Sequence, residues 1–188
     1  MIPTVCTERL VLRAFTAADR PAWAALHADP AVMATLGPVL DRGAADALLD
    51  RVVGRWDELG YGWWCVDLAG ECIGAAGLGT PSWHAPFTVA ALETTGRPVV
   101  ELGWRIASPH WGFGYAPEAA GAAVAYGFDT LGVPELVAFT AASNDKSRRV
   151  MEKLDMTHDG AGDFDHPNLR PGDPLRRHVL YRLGRPAT

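Results

Sequence analysis

Two glycines one residue apart, Gly112 and Gly114, stand just ahead of an alanine-rich helical pattern in the run Trp111-Gly112-Phe113-Gly114-Tyr115-Ala116-Pro117-Glu118-Ala119. Such a turn lets the backbone approach a ligand closely and can aim successive amide hydrogens at one point. The positive end of the following helix dipole reinforces that point, so the arrangement suits a pyrophosphate held by main chain, with no lysine required. The same glycines also suit a plain tight turn, and the pattern alone leaves both uses open. Two nucleotide-binding alternatives are excluded by residue type. A dinucleotide fingerprint wants glycine three positions after Gly114, where Pro117 stands. A nucleotide-triphosphate loop ends in Gly-Lys-Ser/Thr, and the chain contains no Gly-Lys dipeptide. No His, Cys, Asp or Glu spacing resembles a zinc site such as H-E-x-x-H, and no metal is expected.

The elements that must position this turn follow from hydrophobic periodicity. Glu8 to Arg13 alternates polar and apolar as a strand does. Thr16 offers a helix cap, with Trp23, Leu26 and His27 at helical spacing beyond it. Leu48, Leu49, Val52, Val53, Trp56 and Leu59 recur at three- and four-residue intervals, one face of an amphipathic helix that Gly60 stops. Trp63 to Leu68 and Cys72 to Leu78 read as strands joined by Ala69-Gly70-Glu71 in an antiparallel hairpin. Thr80 to Arg97 has little periodicity and contains Pro81, Pro86 and Gly96, which predicts a surface loop or insertion. Val99 to Ala107 is a further strand. Pro117 fits the first turn of the next helix, where a missing amide hydrogen is harmless. Ala116, Ala119, Ala120, Ala123, Val124, Phe128 and Leu131 carry that helix to Gly132. Leu136 to Thr140 is strand-like, Ser143 or Asn144 caps a helix running to about Leu154, Phe164 to Arg176 is loop, and His178 to Leu183 is the last strand. The mixed order predicts one twisted mixed sheet with helices on both faces, in a single domain over residues 1–188.

The whole chain agrees with one folded domain that has a sizeable core. Of its 188 residues, 48% are hydrophobic and 21% charged, ordinary for a globular protein. The net charge of −5 argues against nucleic-acid binding driven by phosphate neutralisation, and the short basic group Arg176-Arg177-His178 reads as flanking a strand. Three cysteines, Cys6, Cys65 and Cys72, form no C-x-x-C pair and leave an odd count. The opening residues lack the apolar core of a signal peptide, and no run reaches the ~18 apolar residues of a membrane span. The expectation is a cytoplasmic protein with reduced thiols, with no membrane or nucleic-acid partner, as a monomer or homodimer.

Four segments in order carry a family resemblance. The run Val100-Glu101-Leu102-Gly103-Trp104-Arg105-Ile106-Ala107, continuing through Ser108-Pro109-His110 to Ala119, resembles the acetyl-CoA motif of the GNAT superfamily of N-acetyltransferases. Within it the chain is similar to the branch of ribosomal-protein alanine N-acetyltransferases. Thr7 to Arg13 resembles that branch's opening strand, Ile73 to Leu78 its third strand, and Asn144 to Met156 its last helix and following turn. The resemblance implies a mostly antiparallel α/β (α+β) sheet splayed into a V, with acetyl-CoA as cosubstrate and an amine as acceptor. It implies that backbone amides of Trp111, Gly112, Phe113, Gly114, Tyr115 and Ala116 hold the pyrophosphate, that main chain at Ile106 and Ala107 pairs with the pantetheine, and that Asn144 contacts its arm.

Acetyl transfer to an amine needs a neutral amine, stabilisation of the oxyanion, and a proton for the departing thiolate. Glu101, in an otherwise apolar strand, is the candidate base; its other use is on a solvent face or paired with Arg105 on the same side of the strand. A backbone amide near Ile106 would meet the oxyanion. Many members carry a tyrosine on the last helix to protonate the thiolate. Here Met151 holds that place in Met151-Glu152-Lys153-Leu154-Asp155-Met156 and cannot donate. Ser147, three residues after Asn144, is the substitute donor; both residues also serve as ordinary helix-start residues. Asp155 replaces glycine at a helix end that wants positive φ, which Asp tolerates better than most. Trp83, His84 and Phe87, and Asp165 and His166 in the late loop, lie where this family receives its acceptor. The expected activity is therefore direct acetyl transfer from acetyl-CoA to a primary amine of a peptide N-terminus or small molecule. The alternative is a catalytically weak acyl-CoA-binding sensor or interaction module.

Overall fold

Alternation in the opening segment yields two short strands, β1 (Val5–Cys6) and β2 (Val11–Arg13), paired antiparallel in the computed structural model, which describes residues 1–186. Thr16 caps as its residue type predicts. Its amide and hydroxyl both donate to Asp19, at 2.7 and 2.9 Å, and a 3₁₀ turn leads into α1 (Arg20–Ala28). Asp29 then stops one helix and starts another, α2 (Pro30–Met33), by accepting the Ala31 amide at 2.8 Å. The long amphipathic pattern is α3 (Arg42–Leu59), capped by Asp41 and ended by Gly60 at φ 77°. β3 (Trp63–Leu68) and β4 (Glu71–Gly79) form the expected hairpin, whose turn residues Ala69 and Gly70 both have positive φ.

One expectation fails between residues 80 and 97. Instead of a loop, Pro86–Thr95 forms a ten-residue helix, α4. The hydroxyl of Thr88 accepts the Ala85 amide at 2.8 Å, and Gly96 closes the helix at φ 66°. Proline at the first position and glycine just past the end are helix punctuation. The weakly amphipathic residues between them hid it.

The remaining elements are β5 (Glu101–Ile106), α5 (Tyr115–Ala125), β6 (Glu135–Ala141), α6 (Asp145–Lys153), β7 (Thr157–His158), β8 (Phe164–Asp165) and β9 (Arg177–Gly184). α5 passes into a π-helical segment over Tyr126–Thr130 before Gly132. Contacts divide the chain into two units, residues 1–79 with 103–123, and residues 80–102 with 124 onward. In the first, β1 to β4 form an antiparallel meander, and Trp23, Ala24, Ala45, Leu49 and Ala75 make a core cluster against which Trp63 packs. Trp63 also explains Gly103, since a Cβ there would lie 2.2 Å from its ring. In the second, β6 and β9 pair antiparallel from Glu135↔Gly184 to Ala141↔His178, with β7 and β8 also on β9. The start of β5 joins β6 in parallel at Glu101↔Val137. The architecture is mixed α/β with mostly antiparallel strands, as the sequence predicts.

Candidate active site

The glycine turn is built to leave amides exposed. Gly112 and Gly114 both sit at φ 85°, a conformation other residues rarely adopt. The first helical bond of α5 runs from the Glu118 amide to the Gly114 carbonyl at 3.2 Å. Upstream of it, the amides of residues 112 to 116 meet no backbone acceptor among the described residues. Five consecutive donors therefore collect at the positive end of an eleven-residue helix. Nothing lies within 4 Å of where a Gly112 Cβ would stand, so the approach to this turn is open.

Two side chains fix the turn, and sequence reasoning assigned a role to neither. Arg9 reaches across from the segment before β2, donating to the Phe113 carbonyl at 2.9 Å and lying 4.8 Å above the Tyr115 ring. Glu118 on the first turn of α5 binds the Arg9 guanidinium at 2.6 Å. It also accepts the Thr7 hydroxyl at 2.6 Å and the Arg9 amide at 2.9 Å. Burial works to raise the Glu118 pKa, but these bonds hold it below the ordinary range. Both partners belong to segments that the sequence had singled out, but a contact 109 residues apart leaves no periodic trace. From the other side, the Trp111 indole donates to the Ile106 carbonyl at 2.7 Å and ties the turn to the end of β5.

The main chain that was to pair with pantetheine is partly committed. The Ala107 amide donates to the Ile73 carbonyl at 2.9 Å, and its carbonyl accepts the His110 amide at 2.9 Å. Ala107 thus spends its donor inside the fold, and the Ile106 carbonyl already serves Trp111. Nearby, Arg105 meets the buried ring of His27, whose Nδ1 lies 2.8 Å from the Trp23 carbonyl. These contacts assign the proton to Nδ1 and leave Nε2 to accept from the guanidinium. Burial and, to a lesser degree, the Arg105 charge hold the His27 pKa down to about 4.

In the second unit, Asn144 caps α6. Its side-chain oxygen accepts the Ser147 amide at 3.2 Å, and its amide group donates to the Thr140 hydroxyl at 2.9 Å and the Ser147 hydroxyl at 3.0 Å. Asn144 is buried and Ser147 half-buried. Because the Ser147 oxygen accepts a hydrogen from Asn144, its own hydrogen is directed elsewhere. Met151 is in the core. Asp155 takes the positive φ, 57°, that its position wants. Glu101 is half-buried at the start of β5, opposite Val137.

Of the expected acceptor residues, three come together. Trp83 lies 6.1 Å from Phe87 and 4.7 Å from His166, measured between ring centroids, and Phe139 and Phe164 complete the cluster. His178, near the start of β9, lies 5.0 Å from His166. Burial lowers the pKa of both histidines. His84 is exposed, and Asp165 is engaged by Arg176 at 3.1 Å and Arg177 at 3.7 Å. Trp56 and Trp64 pack edge to face at 4.8 Å in the interior, as apolar runs predict.

Residues 9–157 match the model of the acetyltransferase (GNAT) domain. The crystal structure of an acetyltransferase from Agrobacterium tumefaciens is 33% identical, covering 98% of this chain and 96% of that one with a TM-score of 0.75. The uncharacterized protein YkkB of Bacillus subtilis is 31% identical over 158 residues, 80% of this chain and 83% of its own length. The FsC-acetyl coenzyme A-N(2)-transacetylase of Aspergillus fumigatus is 33% identical over 105 residues, and the match spans 40% of that longer protein and 53% of this chain.

Proposed function

The chain belongs to the acetyltransferase (GNAT) domain family, whose activity is acetyl transfer from acetyl-CoA, and on that premise we propose that its acceptor is a primary amine, on a peptide N-terminus or a small molecule, attacked directly with both substrates bound. One observation carries the reading: the row of amides at residues 112 to 116, at the mouth of α5 and held in place by Arg9 and Trp111. A diphosphate fits such a row, because each bridging and terminal oxygen accepts hydrogen bonds and the helix dipole favours its charge. Trp111 to Ala116 hold that group, and the backbone around Ile106 lines the pantetheine arm. The name of the fungal relative, a transfer to nitrogen, supports an amine as acceptor.

Acetyl-CoA supplies a thioester carbonyl open to attack by a neutral amine. An amine with a pKa of roughly 8 to 10 is mostly protonated at neutral pH. Glu101 takes that proton, directly or through water, a role typically worth ~10²–10⁴ in rate. Ser147 provides the hydrogen for the departing sulfur, with Asn144 bonded to its oxygen and thereby fixing where the hydroxyl hydrogen points. The aromatic cluster of Trp83, Phe87 and His166 receives the body of the acceptor.

A second reading, an acyl-CoA sensor, draws on Met151, which fills the place of the usual tyrosine and is buried in the core. Thiol release from acetyl-CoA, followed with a panel of peptide N-termini, polyamines, amino sugars and aminoglycosides, separates the two. Turnover with any amine supports the transferase. Coenzyme binding without thiol release for every amine supports the sensor, and no binding overturns both.

A further inference from the structure

On the sheet of the first unit, a register shift gathers two cysteines onto one face. β3 and β4 pair Cys65 with Ala75 and Val66 with Gly74, and then Asp67 with Cys72. Ile73 is the extra residue. In unbroken register Cys72 would sit opposite Leu68 and point away from Cys65, because side chains alternate along a strand. The bulge returns Cys72 to the side of Cys65 and Asp67. Arg13 on β2 pairs directly with Cys65 and shares that face.

The two Sγ atoms and a carboxylate oxygen of Asp19 all lie within 4.8 Å of one another. The trio has the composition of a metal site, but its carboxylate is committed. Asp19 accepts from Arg13 Nη1 at 2.8 Å and Nη2 at 2.9 Å, and from the Thr16 amide and hydroxyl. The guanidinium supplies the positive charge that a metal ion would bring. Arg13 is held further by Asp67, at 2.8 Å from its Nε. What remains is a pair of thiols beside a fixed cation.

The two thiols are not equivalent. Cys65 is fully buried, whereas Cys72 is half-buried and reachable from solvent. A hydrogen bond between them pushes the Cys65 pKa up, and burial adds to the rise. The same bond favours the thiolate of Cys72 and lowers its pKa against the opposing effect of burial. A solvent-accessible thiol of lowered pKa, next to a buried thiol that keeps its proton, is the arrangement of an attacking and a resolving cysteine.

We propose that Cys72 and Cys65 form a peroxide-reactive dithiol that closes to an intramolecular disulfide. The Cys72 thiolate attacks one oxygen of hydrogen peroxide; the O–O bond breaks and the departing hydroxide takes a proton to become water, leaving a sulfenic acid. Cys65 then attacks the Cys72 sulfur, the S–O bond breaks, and the Cys65 proton leaves with the hydroxyl as a second water. The dithiol loses two electrons and the peroxide gains them. The inference stands apart from the acetyltransferase reading, since none of these residues belongs to the coenzyme site.

The test uses the full chain carrying Cys6→Ser, which removes the exposed thiol. After hydrogen peroxide, the protein is unfolded in an alkylating agent and its mass measured. The expected result is loss of both alkylation sites in a monomeric chain lighter by two hydrogens, with both sites restored by a reductant and a linked peptide joining Cys65 to Cys72. With Cys65→Ser added, Cys72 accumulates as a sulfenic acid trapped by dimedone. Retention of both alkylatable thiols, further oxidation of Cys72 without a cross-link, or a disulfide between two chains overturns the proposal. The measurement on Cys6→Ser stands alone if the Cys65 variant does not fold.

Discussion

Glu118 and Arg9 lie 109 residues apart in sequence and are joined by a hydrogen bond from Arg9 Nε at 2.7 Å and an ion pair from Nη2 at 2.6 Å. The pair fastens the start of the chain to the first turn of α5, with Arg9 also gripping the Phe113 carbonyl. Arg9→Gln or Glu118→Gln should weaken binding of coenzyme A roughly tenfold, about what one charge-assisted hydrogen bond contributes at a half-exposed site. Titration calorimetry checks this against a pantetheine fragment without phosphates. The fragment should bind both variants like the wild type, and equal losses for the two ligands would show that the pair does not serve the phosphates.

Gly114→Val places a branched side chain at φ 85°, where its Cβ would stand 3.3 Å from Arg9 Nη2. The strain should be on the order of 1–3 kcal/mol and local to the turn. Circular dichroism should remain that of the folded chain while coenzyme binding is lost. Unchanged affinity would remove the turn from the site.

The third test concerns Glu101. Glu101→Gln should lower turnover by about two orders of magnitude at neutral pH, and by less at high pH where the amine is already free. A loss that stays constant across pH would give Glu101 a structural or binding role.

Asn144 and Ser147 allow stability and turnover to be tested separately. Asn144→Ala removes the cap of α6 and the bond to Thr140, and should cost about 1–2 kcal/mol in denaturant unfolding. Ser147→Ala keeps the cap, since its backbone amide is the donor to Asn144. It should lower kcat with little change in the midpoint of unfolding, and a kcat equal to wild type would exclude its hydroxyl as the donor.

Folding stability should fall as the solution is acidified. The ordinary His pKa of 6.5 applies to the unfolded chain, and the folded protein holds His27 at about 4. The unfolded state therefore binds a proton more readily. The stability from this residue is complete above pH 6.5, declines as pH falls toward 4, and is lost below that, a change of up to about 3 kcal/mol. His166 and His178, also lowered by burial, act in the same direction. Unfolding free energies of His27→Gln and wild type, compared across this window, should converge on acidification; parallel curves would contradict a neutral His27.

What the sequence revealed tracks the range of the interactions. The glycine turn, the Ala-rich helix, the Ala69-Gly70 hairpin, the cap at Asn144 and the positive φ of Asp155 are all set by residues within a few positions, and each was readable. α4 was missed although Pro86 and Gly96 bracket it, because its apolar residues do not keep to one face. Arg9, Glu118, Phe139 and His178 escaped for another reason. Their roles arise from pairings between distant segments, and a single chain records no distance between them.

The extra residue in β4 has a consequence for the history of this hairpin. Most strand positions tolerate exchange of one side chain for another, but a slip of the turn that brings Cys72 opposite Leu68 would even out the ladder and send the two sulfurs to opposite sides of the sheet. Lineages whose turn takes up the extra residue would therefore keep both cysteines and lose their partnership.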